Sequence, residues 1–242
     1  MKCLLLGEGP SDIGVNDDFQ EPRFQKGPMT LVIDFLAAKK GVRRTDYGLL
    51  SRGDVSRGIK NQRRGVSARP KEVDPELRTV YQSAWYIGKM AVDEKRDVCV
   101  YFHDADRTNS EPHYQAQRLE SAMGVGFALS GFQSGVPMIP VPRSEAWLLA
   151  YFQKGLAQQT AYNKSGRFEK LPANDNSPKS AKKLLQKAVG AQTEEETYPK
   201  VMEEFGNIDW TRVDMPSYNH FRECLESVLD AYNSMVESGA DT

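Results

Sequence analysis

The chain has 242 residues, with 32 Lys and Arg against 33 Asp and Glu, and 39% of its residues are apolar. Adding the 19 glycines brings the apolar share to about 47%, which excludes collagen, coiled coil and disorder as descriptions of the whole. At about 150 residues per domain, this length gives one large domain or a domain with an appendage. It is also long enough to bury roughly 70% of its unfolded surface without a disulfide or metal staple.

The longest apolar run, Ala146 to Phe152, is far short of the ~20 residues that span a bilayer. Cys3 to Leu6 is too short for a secretory signal core. We therefore expect a cytoplasmic protein without a membrane span. Cys3, Cys99 and Cys224, like His103, His113 and His220, are scattered without the paired spacing of a zinc site or a disulfide framework.

In chain order, Lys2 to Leu6 reads as a buried strand ended by glycine. Met29 to Lys40 follows Pro28 with Leu31, Val32, Phe35 and Leu36 at helical spacing. Asp46 to Leu50 fits a second strand, and Pro75 to Val92 a helix. Asp97 to Phe102, rich in β-branched and aromatic residues, is the clearest strand. Pro112 to Met123 predicts a helix, Val136 to Val141 a strand, and Ser144 to Phe152 a helix. The alternation predicts an α/β fold with a mostly parallel sheet flanked by helices. Beyond a polar stretch at 160–178 only helical patterns follow, at Lys179 to Val189, Glu194 to Phe205 and Tyr218 to Val236. We expect residues 1–155 to form the α/β domain and residues 156–242 a helical C-terminal extension.

Charge is balanced overall but not locally. Between Lys39 and Lys71, eleven basic residues, among them Arg43, Arg44, Arg63 and Arg64, face two acids, Asp46 and Asp54. Such a block is either a solvated loop or an interaction segment, and we read the insert at 39–71 as a contact surface for nucleic-acid backbone.

Three stretches carry chemistry. Gly7-Glu8-Gly9-Pro10-Ser11-Asp12 follows the first strand, but it lacks the Gly-Lys-Ser/Thr of a P-loop and the third glycine of a dinucleotide fingerprint. Glu8 and Asp12 would repel a bare phosphate unless a divalent cation stood between; otherwise they simply complement a helix N-terminus. His103-Asp104-Ala105-Asp106 follows the clearest strand, and in extended chain Asp104 and Asp106 leave the same face. If both strands are parallel members of one sheet, Glu8 and the two aspartates emerge at the carboxyl edge where α/β proteins place ligands. Three carboxylates held together call for Mg²⁺ or Mn²⁺; the structural alternative for Asp104 and Asp106 is an Asx turn or helix cap. Val141-Pro142-Arg143-Ser144-Glu145-Ala146-Trp147 is again a strand running into a helix. There Glu145 is a further metal ligand or a complement to the helix dipole.

Glu8-Gly9-Pro10-Ser11-Asp12 followed by Asp104-Ala105-Asp106 resembles the Toprim domain of topoisomerases, primases and overcoming-lysogenization-defect nucleases. Ser144-Glu145-Ala146-Trp147-Leu148-Leu149-Ala150 is similar to a branch of small Toprim-like proteins encoded in prophage and defence loci beside an ATPase. So are Pro178-Lys179, Tyr198-Pro199-Lys200 and Pro216-Ser217-Tyr218 with Phe221. The basic insert is not part of the Toprim pattern.

The resemblance implies a four-stranded, largely parallel sheet and a metal-dependent nuclease of phage defence or a mobile element, with DNA favoured over RNA. Glu8, Asp104 and Asp106 would hold Mg²⁺ or Mn²⁺, with Asp12 or Glu145 at a second ion. Arg143, Lys179 or Lys182 would offset transition-state charge. Nucleic acid and an ATPase are the expected partners, and the sequence is compatible with a homo-oligomer. Two other classes stay open. One is a haloacid-dehalogenase-like phosphatase with Asp104 as nucleophile and Asp106 as general acid. The other is a non-catalytic nucleic-acid-binding or regulatory subunit.

Overall fold

The computed structural model describes residues 1–7, 9–16, 24–61, 70, 73–106, 111–152, 165–174 and 176–239. The chain folds into two units. The first comprises Met1–His103, Gln117–Met138 and Glu223–Thr242; the second comprises Asp104–Ala116 and Ile139–Arg222.

The first unit is built on a four-stranded parallel sheet of β1 (Lys2–Leu6), β4 (Asp46–Leu50), β5 (Val98–Phe102) and β6 (Gly135–Met138), in the order β4-β1-β5-β6. Composition explains the order. Leu4, Leu5 and Leu6 and all five residues of β5 are buried, as befits central strands covered on both faces. The less apolar β4 and β6 take the edges, where Pro137, lacking an amide hydrogen, is tolerated. The predicted strand Val136 to Val141 stops at Met138 because the prolines at 140 and 142 cannot donate to a ladder. Register aligns Leu6 with Tyr101 and with Leu50, so the three strands end at one carboxyl edge. The first crossover runs from β1 to β4 on one side and the chain then returns past β1 to β5. The reversal lies between β1 and β5.

Between β1 and β4 run the short helix α1 (Pro10–Ile13), an antiparallel hairpin of β2 (Gly14–Asn16) and β3 (Phe24–Lys26), and α2 (Pro28–Lys39). Helix α2 starts on its proline and ends where Gly41 takes a φ of 83°, with Val42 and Gly41 donating back to Ala37 and Ala38. After β4 come α3 (Arg52–Asn61) and α4 (Arg78–Asp93). The latter is preceded by a 3₁₀ turn, Pro75–Leu77, that Asp74 caps. α5 (Pro112–Ser130) runs a full two turns beyond its predicted end.

In the second unit, α6 (Ser144–Phe152) is buried on every side from Ser144 to Ala150, the signature of a helix apolar all round. It is followed by α7 (Ala181–Ala188), α8 (Thr197–Glu204) and the first residues of α9 (Pro216–Glu237), which belongs to the first unit from Glu223 onward. Trp147 stacks on Phe221 with centroids 5.7 Å apart and meets Tyr218 edge-on at 5.3 Å. Among the described residues, no helix is long and apolar enough to cross a membrane.

Candidate active site

In the second unit the Asp-Ala-Asp loop and the Pro-Arg-Ser-Glu turn that opens α6 clasp each other. Ala105 N donates to Pro140 O at 3.1 Å and Ser144 N to Asp104 Oδ1 at 3.0 Å. Arg143 Nη2 lies 2.5 Å from Asp106 Oδ2. The first contact is backbone pairing beyond the end of the sheet. The second follows from helix geometry, since an amide at the start of α6 has no intrahelical acceptor and turns to a carboxylate. The third is a charge-assisted bond. Asp104 is buried, whereas Asp106 and Arg143 keep 29% and 22% of their side chains exposed, enough for both to reach a ligand. Glu145, in the first turn of α6, is 5% exposed, and its Oε1 accepts a bond from Tyr198 Oη at 3.2 Å. The unit thus ties Asp104 and Asp106 to the turn of Arg143 and Ser144, while Glu145, next along that turn, is engaged by Tyr198.

Glu8 lies outside the described residues, as do Arg63 and Arg64. Asp12 belongs to the first unit, where it is buried in α1 and accepts a bond from Ser11 Oγ at 3.3 Å. Gly7, Ile13, Leu50, Ser51 and Arg52 are among the residues lining a cleft of about 390 Å³ at the carboxyl ends of β1 and β4. Among the described residues, no three His, Cys, Asp or Glu side chains group closely enough to hold a metal ion. Asp104 and Asp106 are nevertheless hard oxygen donors on one short loop, and that chemistry fits Mg²⁺ or Mn²⁺.

The basic segment is partly built into the fold. It contains β4, paired residue by residue with β1, and the amphipathic helix α3, of which only Val55 is buried. Lys40 is held by Asp230 at 2.9 Å and Arg57 by Asp54 at 2.5 Å, while Arg43 and Arg44 are exposed. Lys179 is also exposed. Lys182 and Lys183 both bond Glu194 at 2.7 Å and hold its carboxyl down at about 2.

Glu169 escaped sequence reasoning because it sits in a polar stretch with no periodic pattern. It is 1% exposed, within a 3₁₀ helix, Ser165–Lys170. Its Oε1 accepts bonds from Ser217 N at 2.7 Å and Ser217 Oγ at 2.5 Å, and Trp147 Nε1 donates to that hydroxyl at 2.8 Å. Burial pushes the Glu169 carboxyl above its ordinary range, against the opposing pull of the Ser217 bonds and of His113, whose Nε2 lies 3.5 Å from Oε2.

Comparison with protein-family models, curated proteins and solved structures finds no match.

Proposed function

We propose that the chain is a Toprim-like, metal-dependent nuclease that hydrolyses phosphodiester bonds of nucleic acid, DNA in preference to RNA. The observation that supports this reading best is the clasp between the Asp-Ala-Asp loop continuing central strand β5 and the Arg-Ser-Glu turn of α6. It gathers acidic and basic side chains on segments that follow strand ends, where α/β folds bind ligands. On this reading Asp104 and Asp106 hold the ion together with Glu8, which follows β1 in the sequence. When bound, the divalent cation supplies Lewis-acid polarisation of a phosphoryl oxygen. The chain's own residues do the positioning. The Ser144 amide orients Asp104, Tyr198 orients Glu145, and either Asp12 or Glu145 would serve a second ion. Arg43 and Arg44, with Arg63 and Arg64, attract the phosphate backbone toward a site whose acids would otherwise repel it. The Ser-Glu-Ala-Trp-Leu-Leu resemblance carries two further parts of the proposal, a role in phage defence or on a mobile element and an ATPase partner.

Incubation of the purified protein with plasmid, linear DNA and RNA, in Mg²⁺, Mn²⁺ or EDTA, tests the reading. Cleavage of DNA in either metal and none in EDTA is expected. Undiminished cleavage in EDTA, or release of phosphate from small phosphomonoesters with a covalent phosphoryl group on Asp104, would overturn it.

A further inference from the structure

Three cations of the second unit, Arg143, Lys179 and Lys182, are candidates for meeting the charge of a scissile phosphate, and their surroundings separate them. Lys182 is committed to Glu194, on the turn before α8. Lys179 is exposed and its described contact is through its backbone amide, to Ser177 Oγ. Arg143 is joined directly to the Asp-Ala-Asp loop. Its guanidinium reaches Asp106 while the next residue's amide reaches Asp104, so adjacent residues of one turn engage both aspartates.

A cation on Asp106 and a divalent ion on the same carboxylate repel each other at short range. The guanidinium has a ready alternative, since its planar fork matches a phosphate group as well as a carboxylate. We infer that Arg143 is the phosphate-binding residue of this site and that it exchanges partners: bound to Asp106 while the site is empty, and transferred to the substrate phosphate when the metal takes Asp106. The inference rests on the metal-site reading above and adds to it a residue and a coupling. Metal and phosphate then favour each other's binding, by equal factors in both directions. The exchange also keeps an empty site neutral at Asp106, so that metal held there without substrate is weakly bound.

The test is Mn²⁺ binding, followed by the electron paramagnetic resonance of the free ion. It is done with and without a thymidine dinucleotide joined by a phosphorothioate, which carries one backbone charge and resists cleavage. For the parent, the dinucleotide should tighten Mn²⁺ binding by about fivefold or more, the lower end of ordinary coupling between sites. Arg143→Gln should bind Mn²⁺ alone more tightly than the parent, because Asp106 has lost its competing cation, and should show no gain with the dinucleotide. Arg143→Lys, which keeps the charge without the fork, should retain part of the gain; it also serves if the Gln variant fails to fold. Unchanged Mn²⁺ affinity and an unchanged dinucleotide effect in both variants would overturn the exchange while leaving the metal site standing. Mn²⁺ binding that survives both Asp104→Asn and Asp106→Asn would instead remove the metal-site reading, and the exchange with it.

Discussion

Glu169 has its carboxyl raised by burial, and the sign of the consequence for stability follows from linkage. The folded chain holds a proton there that the unfolded chain has released. Stability from this residue is therefore fully present below the ordinary glutamate value and is lost as pH rises through the raised one. Glu169→Gln keeps an acceptor for Ser217 and removes the titration, so its destabilisation relative to the parent should be largest at low pH and shrink as pH rises. Urea unfolding of both proteins from pH 4 to 8 checks this, and a constant difference across that range would contradict it. Glu194 has the opposite sign: held down to about 2 by Lys182 and Lys183, it contributes above the ordinary range and loses its contribution as pH falls. That part is small, because the carboxylate is 42% exposed and surface ion pairs are weak. Residues differ in how readable they are. Asp104 and Asp106 stand out because an unbroken apolar strand points to them, and Glu145 because it opens an apolar helix. Nothing local marks Glu169, whose partners Ser217 and His113 are 48 and 56 positions away along the chain.

At the scale of elements, β1, β5 and α6 were legible because each is apolar through most of its length, and burial follows such runs. Helix α3 was not. Its ten residues hold two glycines and three cations around a single buried Val55, so charge masked the helical spacing and the segment read as an insert. The hairpin of β2 and β3 was missed for want of length, three residues a side. Helix α5 carries two glycines that behave oppositely. A Cβ at Gly126 would lie 2.6 Å from Tyr81 O and 2.8 Å from Trp85 N, backbone atoms of α4, whereas at Gly124 nothing stands within 4 Å. Gly126→Ala should therefore force the two helices apart and destabilise the chain by about 1–3 kcal/mol. Gly124→Ala should be neutral or stabilise it by roughly 0.5–1 kcal/mol, since alanine costs less backbone entropy in a helix. Denaturant midpoints of the two variants decide this, and equal losses would contradict it.

For the whole molecule, the α/β class and the parallel sheet were legible from the alternation of strand and helix patterns. The order β4-β1-β5-β6 was not, because it depends on which apolar strands win the central places. The grouping of 104–116 with 139–222 was equally hidden, being set by contacts between segments distant in sequence. The uneven charge makes a further prediction. Neutralising Arg43, Arg44, Arg63 and Arg64 together should flatten the slope of log K against log salt for duplex DNA by up to about 3.6, at about 0.9 for each phosphate left without its cation. Binding should weaken similarly across sequences, as contacts to phosphate position a protein without reading bases. Binding titrations in Ca²⁺ measure it, and an unchanged slope would reduce the segment to a solvated surface. The central claim, that one carboxylate cluster carries metal-dependent cleavage, is tested most directly by plasmid nicking in Mn²⁺ with Glu8→Gln, Asp104→Asn and Asp106→Asn beside the parent. Each substitution keeps the shape and removes one ligand charge, so each should slow nicking by more than about 100-fold, beyond the loss typical of a ligand's supporting partner. Nicking by Glu8→Gln or Asp104→Asn at the parent's rate would contradict the account.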